Sequence, residues 1–92
     1  MATLNFSKNG QWFVSEAITP TDSESVIVNI TSRDVTKTHK LIVEHSINKE
    51  FWMVCGSISF TDGIELSVNG VRAGEQYVRF RTETQPLKAE CL

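Results

Sequence analysis

Alternation of apolar and polar residues dominates this chain. Apolar residues recur at every second position in run after run, and no window of about a dozen residues keeps the spacing of an amphipathic helix. The predicted strands, separated by turn residues, cover residues 3–7, 11–19, 25–33, 38–46, 51–61, 64–69 and 75–84. Short strands at this spacing predict an all-β fold: an antiparallel β-sandwich of about seven strands, Ig-like or jelly-roll-like, forming a single domain over residues 1–92.

Asx-Gly pairs mark three of the predicted turns, because these residues tolerate the positive φ angles of tight hairpins. The pairs are Asn9-Gly10, Asp62-Gly63 and Asn69-Gly70. A three-residue loop ending at Gly63 sets Phe60 opposite Ile64, and one ending at Gly10 sets Phe6 opposite Trp12. Both registers collect apolar side chains on one face, so we expect two three-residue hairpins, each with a glycine bulge. The third pair leads into a longer connection.

Successive side chains of a strand point to opposite faces of the sheet, so the odd or even position of a residue (its parity) assigns it to one face. The set predicted to face inward is Leu4, Phe6, Trp12, Val14, Ile18, Val26, Val28, Ile30, Leu41, Val43, Trp52, Val54, Ile58, Phe60, Ile64, Leu66, Val68, Val78 and Phe80. This set is large enough for one core between two sheets. The opposite parity should then be polar.

Several large apolar residues fall on that opposite, outward parity. They are Phe13, Ile27, Ile42, Phe51, Met53 and Tyr77. A cluster of exposed apolar side chains on a soluble protein marks an interface, so the pattern predicts contact with another protein, most simply a second copy. The alternative is that loops cover some of these residues, or that the parity slips at a bulge.

The last predicted strand adds a polar candidate to this surface. Tyr77, Arg79 and Arg81 alternate with Val78 and Phe80, which puts one aromatic ring and two guanidinium groups in a row. Such a row can bind a carboxylate, stack on a sugar or pair with an acidic neighbouring subunit. The alternative is a solvated strand face whose charges are balanced by Glu75, Glu83 and acids on adjacent strands.

Two aromatic doublets, Trp12-Phe13 and Phe51-Trp52, each direct one ring outward. Exposed rings on a β-sandwich can stack on sugars, and such sites tend to use tryptophan or tyrosine. The parity buries both tryptophans and exposes the phenylalanines, which favours a protein interface over a glycan.

Composition narrows the function classes. Of the 92 residues, 40% are hydrophobic and 22% are charged, as in a folded globular protein rather than a disordered one. The net charge of −2 argues against a nucleic-acid partner. Residues 1–8 lack the pattern of a secretory signal, and no stretch has the length of a membrane span, so we expect a cytoplasmic chain with no membrane partner. In that compartment Cys55 and Cys91 are expected to be free thiols.

Residues that could carry chemistry are scattered. His39 and His45 share a parity on one strand, but about 20 Å separates residues six apart in a strand, too far to share a metal ion. No serine lies in a nucleophile elbow, no carboxylates form an acid/base pair and no glycine-rich phosphate loop is present. We therefore expect a protein that is not an enzyme and uses no cofactor and no metal.

Three stretches resemble parts of small all-β structural proteins encoded by tailed bacteriophages and prophages of gut bacteria. They are the opening FSKNGQWFVSE at residues 6–16, the closing GEQYVRFRTETQP at residues 74–86 and the middle segment SINKEFW at residues 46–52. The resemblance implies a non-enzymatic virion component, such as a head decoration, fibre or tail accessory protein. Its partners would be copies of itself or other virion subunits, and it would be assembled in the host cytoplasm.

Two other functions stay open. A carbohydrate-binding sandwich module could act through Trp12, Trp52 or Tyr77, with a glycan as its partner. An Ig-like accessory domain could space or dock parts of a larger complex.

Overall fold

The fold consists of two antiparallel sheets packed face to face. The computed structural model describes residues 2–21 and 24–91, and every regular element in this part of the chain is a strand. The strands are β1 (Ala2–Thr3), β2 (Phe6–Asn9), β3 (Trp12–Ser15), β4 (Ser25–Thr31), β5 (His39–Ser46), β6 (Met53–Phe60), β7 (Gly63–Asn69), β8 (Tyr77–Thr82) and β9 (Lys88–Cys91). A four-stranded sheet has the order β1-β9-β4-β7, and a five-stranded sheet has the order β2-β3-β8-β5-β6.

The all-β, two-sheet prediction is confirmed, with two differences in the strands themselves. The first predicted strand is divided into β1 and β2, which belong to different sheets. The last strand, β9, was not predicted, because its four residues contain little apolar alternation. It is held by pairing on both sides, with β1 and with β4, and by the burial of Ala89.

Alternate residues of β4, β5 and β8 form the centre of the core. Val28, Leu41, Val78 and Phe80 are completely buried, and their neighbours along each strand face outward or are half-buried. Each such side chain contributes about 1.5–3 kcal/mol when it is buried. The remaining members of the core cluster are Leu4, Phe6, Val26, Ile30, Val43, Phe60, Val71 and Ala89.

The first hairpin is one residue tighter than predicted. β2 and β3 pair with Asn9 opposite Trp12, which leaves a two-residue loop whose first residue, Gly10, has a φ of 65°. Phe6 therefore lies opposite Ser15 and not opposite Trp12. The register differs from the predicted one by an odd number of residues, and an odd shift exchanges the two faces of a strand.

This exchange corrects three placements on β3. Phe13 was expected to face outward, but it lies opposite Thr82 and packs against the core. Trp12 and Val14 were expected in the core, but the structure places them on the outer face of the five-stranded sheet, where Val14 lies opposite Arg81.

The predicted hairpin at Asp62-Gly63 is wrong, because β6 and β7 belong to different sheets. Phe60 pairs with His39 in one sheet, and Ile64 pairs with Ile30 in the other. The chain crosses between the sheets here, and the backbone N–H of Ser32 donates to the Asp62 carbonyl at 2.7 Å. Both apolar residues still point inward, from opposite sheets. The apolar pattern that favoured a hairpin therefore fits a crossing between the sheets equally well.

A bulge in β6 explains the remaining residues that were assigned to the wrong face of the sheet. Val43 lies opposite Gly56 while the next residue, Glu44, lies opposite Val54, so Cys55 is an extra residue. Val54 therefore faces outward beside Glu44, although it was predicted to be in the core. Trp52, also predicted to be in the core, lies on the outer side against Arg79. The strand does contain a bulge, but Phe51 and Met53, the outward apolar residues that such a slip would have placed inside, are exposed.

Gly63 occupies a position that has no room for a side chain. A Cβ placed there would lie 2.8 Å from the carbonyl oxygen of Ile30, whereas a Cβ at Gly56 would meet only Val43 atoms at 3.9 Å or more. We predict that Gly63→Ala lowers the free energy of unfolding by about 1–3 kcal/mol, because the backbone of β4 must move. Gly56→Ala, measured in the same urea titration, should change it by much less; equal losses would contradict this account.

Candidate functional site

The outer face of the five-stranded sheet carries a row of stacked polar and aromatic side chains. We call it the arginine-tryptophan row; in the order in which they contact one another, its members are Trp12, Arg81, Glu44, Arg79 and Trp52. Strand pairing positions the central three, since β8 lies beside β5 with Arg79 opposite Glu44 and Arg81 opposite Ile42. The two tryptophans stand at the ends, one on β3 and the other just before β6.

Glu44 is the centre of this row. Its carboxylate is 7% exposed, and Arg79 Nε donates to Glu44 Oε1 at 3.0 Å. Arg81 Nε lies 3.1 Å from the same oxygen, at an angle that makes it an ion pair rather than an aligned hydrogen bond. One buried carboxylate thus holds two guanidinium groups, each about a quarter exposed. The cluster keeps an excess of positive charge on this face.

Aromatic rings cover the cations of the row. The guanidinium carbon of Arg79 lies 4.3 Å from the centroid of the Trp52 ring, and that of Arg81 lies 4.8 Å from the Trp12 ring. Beside them, Lys49 Nζ lies 4.6 Å from the centroid of Tyr77. Each cation–π contact is worth about 0.5–1 kcal/mol at an exposed site, so the row is a built structure and not a set of free charges.

The loop before β6 holds Trp52 in place. Lys49 has a φ of 63°, and its carbonyl accepts a hydrogen bond of 3.2 Å from Trp52 Nε1. The Ser46 hydroxyl accepts from the backbone N–H of Lys49 at 2.9 Å, and Asn48 Oδ1 accepts from the N–H groups of Glu50 and Phe51. The turn is thus closed by the Ser46 hydroxyl at the end of β5 and by the Asn48 side chain.

The predicted Tyr77, Arg79 and Arg81 row lies on the outer face, and its arginines are already paired within the chain. Of the two explanations given for it, the acid on an adjacent strand applies, and that acid is Glu44. Glu75 pairs instead with Arg72 at 3.7 Å in an exposed contact. Glu44 was missed because it directly follows the buried apolar residues Leu41–Val43. The signal that could have found it is a lone acid on one strand and two arginines, two residues apart, on another.

Exposed apolar side chains also occur along β6 and in the loop before it. We call them the β6 strip, and its members are Ile47, Phe51, Met53, Val54 and Ile58. They lie on both sides of this sheet edge: Val54 is on the outer face, whereas Ile58, which was predicted to be in the core, is on the inner face but 37% exposed. The predicted interface residues Phe51 and Met53 are 77% and 67% exposed. β6 is an edge strand, and β5 is its one partner among the described residues. The predicted interface residues Ile27 and Tyr77 are half-buried, and Ile42, although on the outer face, is buried.

A cleft of about 500 Å³ opens between β6 and β7. Its apolar lining includes Val43, Ile58, Leu66 and Val68. His45 also lines it, and its buried Nδ1 has no hydrogen-bond partner. The cleft exists because β6 and β7 end the two sheets on the same side of the molecule.

The histidines and cysteines do not form a reactive centre in the part of the chain described. His39 is buried; its Nε2 lies 2.6 Å from the Asp34 carbonyl and its Nδ1 lies 3.1 Å from the Thr84 hydroxyl, a structural arrangement. No group of three His, Cys, Asp or Glu side chains among residues 2–21 and 24–91 is placed to hold a metal ion. Cys55 and Cys91 are both free.

Comparisons with protein families, curated proteins and solved structures find no match to this chain. No helix that could cross a membrane occurs among the described residues. Functional inference therefore depends on the two surfaces themselves.

We predict that Glu44→Gln lowers the free energy of unfolding by about 2–3 kcal/mol, because it leaves two adjacent guanidinium groups without a counter-charge. Glu65→Gln, which removes an exposed carboxylate from the outer face of the four-stranded sheet, should change it by less than about 0.5 kcal/mol. Urea unfolding monitored by tryptophan fluorescence compares the two; similar losses would show that Glu44 has no special role.

Burial raises the pKa of the Cys55 thiol, and the negative charge of Glu44 adds to the shift. Only the thiolate reacts with iodoacetamide. In a Cys91→Ser background, we predict that labelling of folded protein reaches its half-maximal rate at a higher pH than labelling of the same protein in urea. Coincident pH profiles would contradict the shift.

Proposed function

We propose that this chain is a non-enzymatic assembly protein that works by protein–protein contacts made through the β6 strip. The observation that carries the proposal is the concentration of exposed apolar side chains. Of the seven large apolar residues that are exposed in the described part of the chain, five belong to the strip. Such clustering is typical of an interface, whereas apolar residues exposed singly need no explanation.

Energetics support the strip as the contact. Covering a Phe, Met, Val or Ile side chain contributes about 1.5–3 kcal/mol each relative to leaving it in water. The strip therefore has the apolar content of an interface core, and Lys49 and Glu50 at its start supply a polar rim. The arginine-tryptophan row lies beside it, and its two arginines are paired with Glu44 within the chain.

The setting we propose is a virion of a tailed bacteriophage, where the protein would serve as a head decoration, fibre or tail accessory component. What supports this setting is the resemblance of residues 6–16, 46–52 and 74–86 to small phage structural proteins. The partners would be copies of itself or other virion subunits.

Carbohydrate binding is a second candidate, and one specific observation favours it. Trp12 and Trp52, which the sequence pattern placed inside, both lie on the outer face. One face of each ring is used by an arginine, so a sugar would stack on the other. A glycan array tests this candidate: specific binding that Trp52→Ala or Trp12→Ala abolishes would support it.

An Ig-like accessory domain is the third candidate. In an Ig sandwich the second strand pairs with the fifth and the third with the sixth. The pairing of β4 with β7 and of β5 with β8 has this form and supports the proposal. The strands outside this quartet depart from it, because β9 lies beside β4 where an Ig domain has its first strand.

The leading proposal predicts that the double variant Phe51→Ser, Met53→Ser weakens association about tenfold or more. The reason is that Phe51 and Met53 are the most exposed large side chains within and next to β6. The measurements are sedimentation of the protein alone and its binding to the products of the genes that flank its own. The matched control is Val35→Ser, Leu87→Ser, which removes two apolar residues that are each 59% exposed but lie elsewhere. A wild-type protein with no such association, or equal losses in both variants, would refute the proposal.

A further inference from the structure

β6 is an unprotected sheet edge. It is eight residues long, and β5 occupies one side of it while the other side is unpaired among the described residues. Natural proteins protect such edges with charges, prolines, shortness or cover, because unpaired N–H and C=O groups invite another strand. From Phe51 to Thr61 this segment contains no charged residue and no proline. The bulge at Cys55 is its one protective feature, and residues 56–60 beyond it pair regularly with β5 and leave a regular open edge.

The other edges show the protection that β6 lacks. β2, at the opposite edge of the same sheet, has four residues and carries Lys8. β1 has two residues, and β7 carries Glu65 near its middle. The contrast within one molecule indicates that the exposed edge of β6 has a use.

We propose that β6 pairs with β6 of a second copy, antiparallel about a two-fold axis at Ser57, so that two five-stranded sheets join into one. This inference rests on the proposed assembly function and names its partner. The register centres on the part of the strand that follows the bulge: Ser57 lies opposite its own copy, and Gly56 of one copy lies opposite Ile58 of the other, so that paired residues share a face. Each unpaired backbone group of one edge then meets its complement on the other.

Charge favours a second copy as the occupant. The strand is neutral, so self-pairing brings no like charges together along its length. A charged partner strand would find no counter-charge along this edge, whereas a second β6 brings no charge that needs one.

The available area is also sufficient. Eight strand residues span about 27 Å, and the shortest extent of the molecule is 20 Å, so the edge offers roughly 500 Å² per copy. The total of roughly 1,000 Å² reaches the lower end of specific interfaces and is typical of a reversible dimer. The second copy would also cover the mouth of the cleft between β6 and β7.

The test is the mass of the protein by sedimentation equilibrium, with charge introduced at Ser57. This exposed side chain lies next to the proposed two-fold axis, so Ser57→Lys and Ser57→Glu should each raise the dimer dissociation constant about tenfold or more. An equimolar mixture of the two should recover dimers. Ser7→Lys, on exposed β2 at the other edge, should dimerise like the wild type, and circular dichroism confirms that each variant is folded.

The outcomes separate this inference from the proposed function. A wild-type protein that is monomeric at the highest concentration reached, a Ser57→Lys variant no weaker than Ser7→Lys, or a mixture that stays monomeric would each overturn β6 pairing. Association that survives Ser57→Lys but is lost in Phe51→Ser, Met53→Ser would overturn the pairing and leave the assembly function standing. No association of the wild type with itself or with neighbouring gene products would overturn both.

Discussion

Burial of alternate side chains from β4, β5 and β8 between two sheets is the interaction on which the structure depends. Val28, Leu41 and Phe80 are completely excluded from solvent, and the strands that carry them lie at the middle of each sheet. A chain of 92 residues has a thin stability margin, so few other interactions could replace this core. The orientation of these strands also decides which residues must face outward, and thereby builds the outer surfaces.

The two arginines on the outer face of the five-stranded sheet are paired within the chain. Glu44 neutralises part of the charge of Arg79 and Arg81, and two tryptophans cover the guanidinium groups. The same arrangement that holds β3, β8 and β5 together on this side removes the arginines as free ligands for a partner. What remains uncommitted is the neighbouring strand, β6, whose apolar side chains and backbone edge are both exposed.

Period-two alternation was enough to predict the fold class and the approximate positions of most strands, because burial on one face leaves that pattern in any strand. It placed Val28 and Phe80 correctly. It misplaced Phe13, Trp12 and Trp52, since a shorter loop in one hairpin and a bulge in β6 each reverse the parity and neither changes composition. The crossing at Asp62-Gly63 was predicted to be a hairpin for a related reason. The alternation of apolar residues within a strand does not indicate which sheet the next strand joins.

Unequal edges limit how far this sheet can grow. One side ends in the long neutral strand β6, and the other ends in β2, a short strand whose lysine resists further addition. Two chains that meet at their open sides therefore expose only closed sides to a third. A sheet built in this way stops growing at the dimer. No fibre forms, because β2 is too short and too charged to accept another strand.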